Sequence, residues 1–145
     1  MRNDRILRIY TDGGCAGNQS DENLGGWGAI MEFGGAQKEL YGSERNTTNN
    51  RMEMTALLEA FKAIKKDGQM IQVFSDSSYL MDCFRKGWYK NWQKNGWKTA
   101  AKKPVENQDL WMALVNETKM HKIEWIKVKG HADNPLNNRC DELAT

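Results

Sequence analysis

Ile6-Leu7-Arg8-Ile9-Tyr10-Thr11-Asp12-Gly13-Gly14 is the stretch from which the fold is read. Residues 6–11 form an apolar run rich in β-branched and aromatic side chains, and Asp-Gly-Gly bounds it, so it reads as a strand ending in a loop. A second stretch has the same form, because residues 70–75 end in Val73-Phe74-Ser75 and are followed by Asp76-Ser77. In an open α/β sheet, functional groups gather beyond the carboxyl ends of the strands. Two parallel neighbouring strands of this kind would present Asp12 and Asp76 side by side.

Working outward, residues 27–33 follow Gly25-Gly26 and precede Gly34-Gly35, with residues 37–42 as the return strand of a hairpin. The chain thus opens with a meander of strands. Over residues 51–66 the period changes: Met54, Leu57, Leu58, Phe61 and Ile64 recur at helical spacing, with Thr48, Asn49 and Asn50 as candidate caps and Asp67-Gly68 as a stop. The fourth strand, residues 70–75, feeds a helix near residues 78–86. Leu110, Trp111, Leu114 and Val115 share one face of a helix over residues 107–119, residues 123–128 alternate as a fifth strand, and a last helix begins near Leu136. Strands first, then alternating helix and strand, predict an α/β fold with a mixed sheet whose later strands join by crossover. With 145 residues and no repeat, low-complexity tract or linker, a single domain over 1–145 is expected.

Apolar residues make up 39% and charged residues 28% of the chain. It has no signal-peptide pattern and no apolar run near the roughly 18 residues that cross a bilayer, so a soluble, cytoplasmic, monomeric protein without membrane contact is expected. Cys15, Cys83 and Cys140 form no CxxC pattern, and an odd count is a poor disulfide framework, which fits a reducing compartment. The net charge of +2 does not announce a nucleic-acid partner. Its distribution does more: Arg85, Lys86, Lys90, Lys94, Lys98, Lys102 and Lys103 fall in one stretch without Asp or Glu, interleaved with Trp88, Trp92 and Trp97. Cation plus aromatic surface suits a nucleic-acid backbone and its sugars; the plainer reading of the tryptophans is that they knit an extra helix onto the body. Trp111 and Trp125 lie on periodic apolar faces and read as core.

Glu53, near the start of the first helix, and Asp141, in the last, could complete a group of four with Asp12 and Asp76. Crowded carboxylates resist joint ionisation unless cations are supplied, and hard oxygen ligands left partly open suit Mg²⁺ or Mn²⁺. Each residue also has a plainer reading. Asp12 before glycines can be a turn residue, Glu53 three residues after Asn50 has capping-box spacing, Asp141-Glu142 can be a charged helix face, and His131 can be a surface histidine.

Over essentially the whole chain the wording around these residues resembles the type I ribonuclease H family. The resemblance is carried by Tyr10-Thr11-Asp12-Gly13-Gly14-Cys15 with Asn18, Gly25-Gly26-Trp27-Gly28-Ala29, Thr47-Thr48-Asn49-Asn50-Arg51-Met52-Glu53 and Ser75-Asp76-Ser77. It continues through Gly96-Trp97-Lys98-Thr99, Asp109-Leu110-Trp111, Val128-Lys129-Gly130-His131-Ala132 and Asn137-Asn138-Arg139-Cys140-Asp141-Glu142-Leu143-Ala144. The resemblance implies a ribonuclease H-like fold, a five-stranded mixed sheet flanked by helices on both faces. It implies endonucleolytic hydrolysis of the RNA strand of an RNA/DNA hybrid, leaving 5′-phosphate and 3′-hydroxyl ends. Asp12, Glu53, Asp76 and Asp141 would then be the metal-binding catalytic carboxylates for two ions, with Asp12 bridging them and His131 assisting proton transfer or product departure.

By the same resemblance, Asn18, Asn49 and Asn50, with the backbone of Cys15 and Gly17, contact the hybrid. Thr48 and Asn107 form a pocket for a DNA-strand phosphate, and Trp88 belongs to a basic protrusion. Ser78 departs from the pattern, standing where many bacterial members carry a glutamine that reaches the RNA strand, so that contact is shorter or absent. Asn138 stands where some members have glutamate. The sequence ends at Thr145, four residues after Asp141, so a short last helix is expected, and no hybrid-binding extension is expected before Met1. Two rivals stay open: another nuclease of the same fold, and a catalytically silent hybrid-binding module.

Overall fold

The computed structural model describes residues 6–16, 24–99 and 101–128. Five strands form one sheet in the order β3-β2-β1-β4-β5. β1 (Ile6–Ala16), β2 (Leu24–Phe33) and β3 (Ala36–Arg45) are antiparallel neighbours, whereas β4 (Met70–Ser75) and β5 (Lys122–Lys127) add in parallel on the other side of β1. Among the described residues the helices are α1 (Asn49–Lys62), α2 (Ser78–Lys86), α3 (Trp88–Lys94) and α4 (Gln108–Thr118). The mixed sheet and crossovers expected from the sequence are therefore present; the helix expected from near Leu136 lies outside the described residues.

β1 does not end at Asp12, as the Asp-Gly-Gly signal predicts. Antiparallel pairing carries it on to Ala16, with Asp12 opposite Gly28, Gly13 opposite Trp27 and Gly14 opposite Gly26. On its other side the parallel pairing with β4 stops at Tyr10 opposite Phe74. Asp12 and Asp76 each follow that last pair by two residues, so the expected juxtaposition holds although Asp12 sits within a strand. Glycine serves here for close approach: a Cβ on Gly13 would lie 2.5 Å from the carbonyl carbon of Met52 and 2.6 Å from the nitrogen of Glu53.

The main core fills the face under the helices. Leu7, Ile9, Ile71 and Val73 from the sheet meet Leu57 and Phe61 of α1, Leu80 and Phe84 of α2, and Trp111 and Leu114 of α4. Burial of such side chains contributes roughly 1.5–3 kcal/mol each before chain entropy is set against it. Tyr10 and Phe74 stack on the opposite face, 4.6 Å apart, beside Ile30. α1 ends at Lys62 rather than Lys66, because the chain turns at Ala63 and begins its approach to Met70.

Candidate active site

Each acidic side chain reaches the end of the sheet for a local reason. Asp12 and Asp76 leave the two central parallel strands, and Thr48 caps α1 by accepting the Arg51 amide at 3.1 Å, which starts that helix so that Glu53 lies over β1. Gly13 donates its amide to Glu53 Oε1 at 2.9 Å and to Asp12 Oδ1 at 2.9 Å. The fully buried Ser75 hydroxyl donates to Glu53 Oε2 at 3.4 Å and accepts from the Ser77 amide at 3.1 Å. Asp12, Glu53 and Asp76 thereby offer ligand oxygens that all lie within 4.8 Å of one another. Glu53 is not the capping-box residue its spacing allows; it is buried and turned toward the other two carboxylates.

Burial, first, and then the charges of Asp12 and Asp76 push the Glu53 carboxyl well above the usual range, while the Gly13 amide pulls the other way. Holding several carboxylates this close is costly without compensating positive charge. Oxygen-only donors, two of them half-exposed, are the chemistry that Mg²⁺ or Mn²⁺ accepts, so the donor set fits a hard divalent cation.

A second cluster lies where the N-terminal ends of α1 and α4 meet. Arg51 Nη1 donates to Asn107 Oδ1 at 3.1 Å, and the guanidinium grips Asp109 with two parallel bonds of 3.0 and 2.9 Å. Arg51 holds the Asp109 carboxyl below its ordinary range by that side-chain bond. Asn107 adopts a left-handed backbone with φ of 59°, and its amide nitrogen donates to the Tyr79 hydroxyl at 3.2 Å. Thr48 and Asn107 are thus joined through Arg51, a residue the sequence offered only as part of a motif. Its signal was the pairing of a basic residue in the first turn of α1 with an acidic one in the first turn of α4.

Asn49 and Cys15 also come together: the Cys15 amide donates to Asn49 Oδ1 at 2.6 Å, which spends that N–H inside the protein and leaves the Asn49 amide nitrogen as a donor. Asn50 is half-buried, Ser78 is exposed, and both flank the carboxylates in sequence. Trp88 is 38% exposed, with Lys86 Nζ 5.9 Å from its ring centre. Trp92 and Trp97 differ, packing against the core with ring centres 6.1 Å apart, and Trp92 sits 5.7 Å from the buried Trp111. Those two knit α3 to the body. The lysines of the same stretch, Lys90, Lys94, Lys98, Lys102 and Lys103, are exposed. Gly17, Asn18, His131 and Asp141 lie outside the described residues.

An RNase H family profile matches residues 4–145. The chain belongs to the RNase H family. A ribonuclease H of Moorella thermoacetica is 53% identical over 138 residues, covering 95% of this chain and 88% of that protein. Among solved structures, a type 1 RNase H with the type 2 active-site motif superposes with a TM-score of 0.84 at 35% identity, covering 97% of this chain and 70% of that one. A foamy viral protease-reverse transcriptase, solved in complex with an RNA/DNA hybrid, shares the fold at 19% identity, with a TM-score of 0.75 over 97% of this chain and 20% of its own. Among the described residues no helix is long and apolar enough to cross a membrane.

Proposed function

We propose that this chain hydrolyses the RNA strand of RNA/DNA hybrids at the carboxylate cluster, leaving 5′-phosphate and 3′-hydroxyl ends. The observation that carries the reading is the gathering of Asp12, Glu53 and Asp76 within 4.8 Å in an RNase H chain. Two divalent ions, Mg²⁺ or Mn²⁺, held by these residues with Asp141, would lower the pKa of the attacking water and stabilise the departing oxyanion.

The chain's own groups do the rest. Gly13 and Ser75 fix the rotamer of Glu53, so its oxygens are preset rather than recruited. Thr48 and Asn107 hold a DNA-strand phosphate at two helix N-termini, where unsatisfied amides favour an anion. Asn18, Asn49, Asn50 and the backbone of Cys15 and Gly17 recognise the hybrid groove, with the exposed Ser78 making at most a short contact. His131 assists proton transfer or product departure, and Trp88 with the lysines of α3 and the following loop lies along the backbone of the hybrid.

A 2′-hydroxyl is donor and acceptor at once, and these polar groups would be left unpaired against DNA. The test replaces 2′-hydroxyls around the scissile position by hydrogen, one at a time, in an Mg²⁺ assay. Cleavage of hybrid with a DNA duplex left intact supports the reading. Equal cleavage of the fully deoxy strand overturns it in favour of a general nuclease.

A further inference from the structure

The hydrogen bonds around the Tyr79 hydroxyl leave one proton without a recipient among the described residues. Trp111 is fully buried and its indole nitrogen can only donate; it donates to the Tyr79 hydroxyl at 3.0 Å. Arg51 can only donate as well, so the Asn107 atom facing it is the amide oxygen. The Asn107 amide nitrogen is therefore the atom 3.2 Å from the same hydroxyl, and it too donates. The phenol oxygen thus accepts twice and has used both lone pairs. Its own O–H must donate elsewhere, and among the described residues nothing takes it. The ring cannot turn away freely, since it lies 5.3 Å from the Trp111 ring and is half-buried.

The surroundings select the kind of acceptor. Arg51 is fixed to Asp109 by two bonds and to Asn107 by a third, so its charge is balanced by the Asp109 carboxylate and its fork is largely committed to holding Asn107 in place. Thr48 stands at the N-terminal end of α1 and Asn107 at that of α4, where helix dipoles favour an anion. Tyr79 follows Asp76 by three residues, in the first turn of α2. A phosphate oxygen bound there is placed in fixed register with the carboxylate cluster.

We propose that the Tyr79 hydroxyl is a further donor to the DNA-strand phosphate held by Thr48 and Asn107, and that Arg51 is the positioning residue that orients it through Asn107. The proposal rests on the reading of Thr48 and Asn107 as a phosphate pocket. It assigns the phenol a binding role and makes Asn107 the relay that fixes where its proton points.

The experiment places a neutral methylphosphonate at one linkage at a time in the DNA strand of a hybrid, and measures KM and kcat for wild type, Asn107→Ala, Tyr79→Phe and Arg51→Lys. On the unmodified hybrid Tyr79→Phe raises KM by about tenfold, the usual scale of one hydrogen bond to a charged group, with a smaller change in kcat. At the one linkage where methylphosphonate removes the penalty of Asn107→Ala, it also removes that of Tyr79→Phe. Arg51→Lys keeps the charge and leaves the phenol–indole bond in place but loses the fork; it shows the same linkage dependence with a smaller rise in KM, and supplies the readout should Tyr79→Phe fold poorly. A merely structural role for the phenol lowers Tm and raises KM equally at every linkage. That result, with Asn107→Ala still linkage-dependent, overturns the assignment of Tyr79 and leaves the pocket standing. If the Asn107→Ala penalty is itself the same at every linkage, the pocket reading fails and the role of Tyr79 falls with it.

Discussion

The carboxylate cluster and the Arg51 corner share α1, which carries Glu53 to one and Arg51 to the other, and they are built on opposite principles. Around Glu53 like charges are pressed together and the buried carboxyl is pushed well above its usual range. Around Arg51 every charge meets its opposite, with Asp109 in the fork and Asn107 beside it. The first arrangement stores repulsion that a proton on Glu53 or an entering cation relieves. The second balances its charges within the chain and keeps polar hydrogens to offer an anion. One region therefore holds the chemistry, and the other holds the substrate in register with it.

The largest break in that comparison comes from the carboxylates. Asp76→Asn keeps shape but loses the charge that holds metal, so hydrolysis falls below detection while hybrid binding, measured by anisotropy, persists. Activity within about tenfold of wild type, a barrier change of only about 1.4 kcal/mol, contradicts the assignment.

Gly13→Ala is the next largest. Its new Cβ meets the Met52 and Glu53 backbone rather than a flexible side chain, so β1 and α1 must part. Overpacking of this kind costs about 1–3 kcal/mol in denaturant unfolding. Displacing Glu53 by even an ångström lowers kcat on the order of 100-fold. An unchanged kcat would show that Glu53 does not need its place over β1.

How far the sequence reached is clear from particular residues. The twin endings at Asp12 and Asp76 were legible because parallel strands with the same apolar-hydroxyl-acid wording end in the same register, and the structure pairs Tyr10 with Phe74 just before them. The continuation of β1 to Ala16 was not legible. Asp-Gly-Gly is a turn signal locally, and only the long antiparallel partner, itself starting at Leu24, turns it into strand. The tryptophans of residues 88–97 could not be sorted by composition, since periodicity does not tell which indole faces the core. Packing divides them, with Trp92 and Trp97 inside and Trp88 outside. Arg51, Asp109 and Tyr79 escaped as a cluster because their hydrogen bonds span 28 to 58 residues of sequence.

The smallest expected effect belongs to the basic surface. Replacing Lys90, Lys94 and Lys98 with Ala leaves both clusters intact, since all three are exposed and far in sequence from the carboxylates. Hybrid affinity weakens, and the slope of log affinity against log salt flattens by up to about 0.9 for each phosphate that a lysine no longer neutralises. A slope equal to that of wild type would place the α3 segment away from the substrate.

Calorimetric titration of Mg²⁺ into the free protein, repeated in buffers of different ionisation enthalpy, tests the central claim most directly. Because Glu53 titrates above the ordinary carboxyl range, it retains its proton at pH values where a free glutamate has lost it, and a cation entering the cluster must displace that proton. Wild type is predicted to bind Mg²⁺ with proton release that diminishes as pH rises through the raised pKa, and Asp12→Asn to lose both the binding and the release. Equal binding by Asp12→Asn, or binding by wild type with no proton released at any pH, would contradict the account of this cluster as the metal site.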